Sequence, residues 1–220
     1  MNKKLIVFGF GDIAQIAKYY FEKDTTYQVV AFCLDGAYIK DNSFEGLPVV
    51  PFERISESHP PSECDLFIAL SYTEMNKLRE RKFYEAKQKG YHLTSYISPD
   101  CTYRSQFEPG NNCFIFEDNT IQPFVRIEDN VTLWSGNHIG HHSLIKAHNF
   151  ISSHVVISGH CIVGSNCFLG VNSTIAHNVH IQPETLVGAG AIIAKDTESK
   201  GVYVGARSVK IDKQSDQIKL

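Results

Sequence analysis

From Cys113 to Asp196 an aliphatic residue recurs at every sixth position, without insertion or skip. Cut into sixes, the chain reads CFIFED, NTIQPF, VRIEDN, VTLWSG, NHIGHH, SLIKAH, NFISSH, VVISGH, CIVGSN, CFLGVN, STIAHN, VHIQPE, TLVGAG, AIIAKD. The third residue of all fourteen is Ile, Leu or Val, from Ile115 to Ile193. A period of six fits neither the 3.6-residue helix nor the two-residue strand; it fits a solenoid in which each hexad supplies one short strand and one corner. The aliphatic residue points inward, and Gly, Ser, Asn and Asp at positions four to six make the corners. With three hexads per coil, residues 18 apart share a face, so the fourteen hexads predict between four and five coils, which bury their interior only by stacking on one another.

The first hundred residues carry a different pattern. Leu5 to Phe8 is an apolar run ending in Gly9-Phe10-Gly11-Asp12, and Ile13, Ile16, Ala17, Tyr20 and Phe21 then follow the stripe of an amphipathic helix, with Asp12 as its N-cap. Strands are predicted over Tyr27 to Leu34, ending on Asp35-Gly36, and over Leu66 to Leu70, ending on Ser71-Tyr72. A helix from about Glu74 to Lys89 and a strand near Leu93 to Ile97 complete a parallel βαβ order. Pro99-Asp100 marks the boundary, giving domains 1–99 and 100–220.

Gly9, Gly11 and Ala14 fit the G-x-G-x-x-G/A turn of a dinucleotide site, and Asp35 lies about where a ribose ligand belongs. Free amides at a helix N-terminus hold a phosphate or a sugar hydroxyl. The αβ order ends near residue 98, too soon for a second mononucleotide half, so a reduced domain gripping a nucleotide or nucleotide-linked sugar fits better than a full NAD site. A glycine turn that only packs helix on sheet is the alternative.

Charge and composition narrow the class. The net charge of -3 leaves no basic footprint for nucleic acid, and the apolar runs are too short to span a bilayer. Leu5 to Phe8 is strand length and not a signal sequence, so a cytoplasmic enzyme is expected. The six cysteines form no C-x-x-C pair and read as reduced, mostly buried thiols.

Eight of the ten histidines fall between His138 and His180. His142, His148, His154 and His160 hold the sixth place of successive hexads and resemble a metal cluster on paper, but three-hexad coils let only His142 and His160 stack. His141 and His177, 36 apart, share a face, with only Gln182 near as a third ligand. No metal is expected.

The order of the two halves resembles the bacterial sugar acyltransferases of the sialic acid O-acetyltransferase (NeuD) and bacillosamine-pathway N-acetyltransferase (PglD) type. The likeness rests on Gly9-Phe10-Gly11-Asp12, on Phe67-Ile68-Ala69-Leu70 followed by Asn76 and Arg79, on the hexads with Asn166 to Ser173, and on Lys200 to Gly205. It implies a Rossmann-like N-terminal domain, a left-handed parallel β-helix, and a homotrimer with active sites between adjacent prisms. It also implies an acetyl-CoA-dependent N-acetyltransferase acting on a nucleotide-linked amino sugar for surface polysaccharide such as O-antigen. O-acetylation of a sialic-type sugar and a non-catalytic oligomeric scaffold are the alternatives.

Ile139-Gly140-His141-His142 aligns with the segment carrying the family's base, which makes His141 the candidate base. His142 stands where the family has Glu or Asp to orient that ring; Asn137, His138 or a neighbouring subunit are other candidates for that role. Gly159 matches the residue whose N–H contacts the thioester oxygen, and Phe150, Val171 and Ala189 match coenzyme A contacts. Lys195, Arg207 and Lys210 are candidates for the cofactor phosphates. Phe10, Gly11, Asp12, Asp35, Gly36, Ser71 and Tyr72 are expected to hold the acceptor.

Overall fold

The structure, a computed structural model, describes residues 3–210 together with Asp212 and Gln214. It opens with β1 (Lys3–Phe8), α1 (Asp12–Asp24), β2 (Tyr27–Leu34), β3 (Ser43–Phe44), β4 (Leu47–Pro51), the one-turn α2 (Ile55–Ser58), β5 (Cys64–Ile68) and α3 (Lys77–Gln88). The sheet order is β3-β4-β2-β1-β5, parallel except for β3. β1 lies between β2 and β5 and is covered on both faces, which explains its continuous apolar run over Leu5 to Phe8.

Local departures from expectation have local causes. The β3–β4 hairpin is not visible in the pattern, because Pro48 and Pro51 argue against a strand. Its two-residue turn is Glu45 (φ 50°) and Gly46 (φ 75°). Gly11, and not Asp12, is the N-cap of α1; Asp12 is the acidic residue of the first turn, where it meets the positive end of the helix dipole. α3 starts at Lys77 because Glu74, Met75 and Asn76 all lie in the left-handed region, with φ of 55°, 52° and 66°.

The hexads form three parallel sheets of seven, six and four strands, each named strand only two residues long. Four successive coils, from Phe114 to Ile181, visit the seven-, six- and four-stranded faces in that order, pairing residues 18 apart, as in Leu133↔Ile151 and Ile139↔Ile157. All fourteen third-position residues are at most 5% exposed, so the repeat is a core pattern. The parallel three-faced stack fits a left-handed β-helix. Pairing at 18 begins before the first clean hexad: Tyr96–Ile97 pairs with Phe114–Ile115. The strand expected over Leu93 to Ile97 therefore divides, with Leu93 bridging Leu66 and Tyr96–Ile97 opening the solenoid.

The corners explain the histidines. In thirteen of fourteen hexads the sixth residue adopts φ between 57° and 78°, a conformation open mainly to Gly, Asn, Asp and His. His142, His148, His154 and His160 occupy such corners, with φ of 57° to 65°. Their spacing is a backbone requirement before it is a chemical one.

The αβ sheet docks on the seven-stranded face. An aromatic seam joins the halves: Phe67 meets Phe114 at 5.0 Å, Phe21 meets Tyr96 at 5.6 Å, and Tyr20 meets Phe116 at 5.2 Å between ring centroids. Beside it lies a polar clasp. Arg79, 1% exposed, donates to the carbonyls of Asn149 (2.9 Å), His148 and Asn130 (both 3.3 Å) and to Thr132 Oγ1 (3.2 Å). Asn76 donates to the Cys167 carbonyl at 2.9 Å, and Asn112 accepts the Ile68 N–H at 2.7 Å. Burial lowers the Arg79 pKa to about 10, which leaves it charged at neutral pH.

Candidate functional site

Coil geometry places His141 on the edge between the six- and four-stranded faces. Its N–H donates to Gln122 Oε1 at 2.8 Å, and its ring lies over Gly159 in the next coil. A Cβ on Gly159 would come within 2.7 Å of His141 Cε1 and Nε2, so only glycine leaves the ring this position.

His142 lies directly against the His141 ring. His141 Nδ1 and His142 Nδ1 are 3.1 Å apart, one donating and the other accepting. His142 is itself held between rings, stacked on His160 at 4.8 Å and 9° and tilted on Phe124 at 4.5 Å. If His142 accepts the Nδ1 proton, Nε2 of His141 keeps its lone pair, the state a general base needs. Asn137 cannot orient the ring, because it is 1% exposed and its Oδ1 accepts the Val155 N–H inside the solenoid at 2.7 Å.

The histidines converge more than their spacing predicts. His142 and His160 do stack, and His148 and His154 do point elsewhere, but the rings of His141 and His177 join the pair. His160 lies 5.1 Å from His141 and 5.4 Å from His177. Fifth- and sixth-position corner residues do not form separate rows, since adjacent side chains on one edge share a neighbourhood. Partial desolvation and the neighbouring imidazoles lower the His160 pKa. His148 is instead a clasp residue, 3% exposed, with Nδ1 2.8 Å from Asn130 Nδ2.

Fifth-position amides form a second element. The coil ladder uses the N–H of positions four and six, as in Gly140 to Ile157 and His142 to Pro123, and leaves position five over. Among the described residues, the N–H groups of Gly159, Val171 and Ala189 donate to no acceptor. Val171 and Ala189 stack on the other edge, between the seven- and six-stranded faces, away from the edge of His141 and Gly159. Phe150 is 3% exposed and packs under Tyr72 at 5.0 Å.

Along that second edge run three adjoining cavities. One of about 750 Å³ lies between α1 and Phe116, Glu117, Trp134 and Ser135. It shares Trp134 with one of about 250 Å³ that includes Tyr72, Phe150, Ser152, Ser153 and Val171. A third, of about 380 Å³, is formed by Phe10, Gly11, Asp12, Ser71 and Tyr72. Five of the seven expected acceptor residues thus line one cavity. The other two are engaged: Asp35 accepts from Lys82 Nζ at 2.7 Å, and the Gly36 N–H donates to Glu53 at 3.0 Å. Trp134, Ser152 and Ser153 were not anticipated; an aromatic beside small corner residues was the available signal. Lys195, Arg207 and Lys210 are exposed on the last coil and tail.

Residues 160–195 match the family model described as bacterial transferase hexapeptide (six repeats). In three dimensions the chain is similar to the acetyltransferase domain of PglB from Neisseria gonorrhoeae, with a TM-score of 0.81 and 23% identity over 93% of this chain and 97% of that one. The chain thus carries hexapeptide repeats and shares the fold of that solved domain. The same PglB domain in complex with acetyl coenzyme A gives a TM-score of 0.79 at 21% identity, covering 93% and 97% of the two chains. PerB from Caulobacter crescentus, in complex with CoA and GDP-perosamine, gives 0.79 at 22% identity, covering 92% and 94%. No curated protein matches the chain in sequence. Among the described residues, no helix is long and apolar enough to cross a membrane.

Proposed function

We propose that the protein is an acetyl-CoA-dependent N-acetyltransferase of a nucleotide-linked amino sugar, cytoplasmic, with residues 1–99 as a Rossmann-like acceptor domain and residues 100–220 as the transfer domain. The observation that carries this reading is His141 over Gly159, with the Gly159 N–H unspent and His142 in hydrogen-bond contact behind the ring. His141 takes the proton of the sugar amine as its nitrogen attacks the thioester carbonyl. The Gly159 N–H stabilises the oxyanion, and as the C–S bond breaks the histidinium protonates the departing thiolate. His142 orients the ring without supplying a negative charge, so it stabilises the histidinium less than a carboxylate would.

The two edges explain why a single chain is incomplete. His141 stands on one edge, while Val171, Ala189 and the three cavities stand on the other. A homotrimer that abuts unlike edges joins one protomer's His141 to its neighbour's cavities. The acceptor then lies in the neighbour's groove, with its nucleotide at the Phe10-Gly11-Asp12 turn and its amine toward His141, and the pantetheine arm follows the Val171 and Ala189 amides. Incubation with acetyl-CoA and a panel of nucleotide-linked amino sugars, read by thiol release and by product mass, tests this. Acceptor-dependent release with N-acetylated product is expected; acetylation only of hydroxyl-bearing sugars, or no release with any acceptor, refutes it.

A further inference from the structure

His141, His142 and His160 each bring a ring nitrogen to one exposed place, with all these atoms within 4.8 Å of one another. Zinc holds imidazole nitrogen at about 2.0–2.1 Å in a tetrahedron, which sets ligand nitrogens roughly 3.3 Å apart. The Nδ1 atoms of His141 and His142 are already 3.1 Å apart. Bringing in His160 needs a closure of at most about 1.5 Å, which exposed rings supply by turning, with His142 leaving its stack on His160.

The backbone makes the arrangement rigid where it matters. His142 and His160 are sixth-position corners with φ of 59°, one coil apart, so their Cα positions are set by the solenoid and only the rings need turn. No carboxylate belongs to the cluster, so the donor set is all imidazole, which favours nickel, copper and zinc over magnesium or calcium. Three protein ligands leave a fourth position for water.

We propose that His141, His142 and His160 bind one zinc-type divalent ion per protomer, and that the bound ion silences His141 as a base. A neutral imidazole has one lone pair; given to the metal, none is left to accept a proton. The second clause rests on the acetyltransferase reading, whereas binding itself does not.

The test is titration of the metal-stripped full-length protein with zinc in thiol-free buffer against a chromophoric chelator, with cobalt added separately to read the coordination geometry. One equivalent per protomer and tetrahedral-type cobalt bands are expected. His160→Asn, which tolerates the corner φ, should weaken zinc binding by tenfold or more while circular dichroism and oligomeric state are unchanged. Absence of stoichiometric zinc in the wild type, or wild-type affinity in both His160→Asn and His142→Asn, overturns the site. Zinc that binds in one equivalent yet leaves acetyl transfer at full rate overturns the silencing. A protein that binds zinc through these residues but in its metal-stripped form acetylates no acceptor leaves the metal site standing and removes the transferase reading.

Discussion

Replacing Gly159 with Ala isolates the position of His141. The added Cβ would lie 2.7 Å from Cε1 and Nε2 of the His141 ring, where ordinary contact begins at 3.4 Å, so the ring must retreat by about 0.7 Å. Nothing else need move, because the clash is with the end of an exposed side chain and Gly159 does not hold a positive φ. Folding stability should stay within about 1 kcal/mol, since Ala also restricts the unfolded chain. Catalysis should not survive intact: a reacting group misplaced by about 1 Å costs roughly 10²-fold, or about 2.7 kcal/mol of transition-state stabilisation. Gly140→Ala is the contrast, because its Cβ would strike the Gly159 nitrogen at 2.5 Å and the Ser158 carbon at 2.5 Å, both backbone atoms of the next coil. That variant should melt early. Thermal melts with thiol release from acetyl-CoA read both effects. A Gly159→Ala protein with wild-type kcat, or one that unfolds as Gly140→Ala does, would refute the geometry.

Arg79→Met strips the clasp of its donor and leaves the Asn149, His148 and Asn130 carbonyls without that partner, at a cost of about 3 kcal/mol or more. A urea midpoint equal to that of the wild type would show that Arg79 does not help hold the halves together. His148 yields a pH effect. Burial is the largest influence and lowers its pKa below the usual 6.5, against the opposing pull of Glu80, so the unfolded chain takes up the proton first. Stability should be complete above pH 6.5 and fall below it, by at most about 1.4 kcal/mol per pH unit. Denaturation at about pH 7.5 and about pH 5.5 should show a larger loss in wild type than in His148→Asn; equal losses would exclude His148 as the source.

The solenoid was legible because its signal is repeated: each third-position aliphatic residue is read against thirteen others, and all are buried. The αβ half offered single signals. β2 runs over the predicted residues, but the β3–β4 hairpin hides behind Pro48 and Pro51, and the start of α3 behind three left-handed residues that no propensity forecasts. At the site, periodicity located His141 above Gly159, since both are coil coordinates. It did not foresee the ring of His160 beside His141, nor the commitment of Asp35 to Lys82 and of Asn76 and Arg79 to the solenoid. Those depend on side chains crossing between coils or domains, which spacing along one chain does not encode.

The most direct test of the account is the rate of acceptor-dependent thiol release from acetyl-CoA by His141→Asn beside the wild type, each confirmed in oligomeric state. With the base removed and the Gly159 amide retained, kcat should fall by about 10²- to 10⁴-fold while the assembly stays intact. Undiminished turnover in the His141→Asn protein would contradict the assignment of His141 as the base.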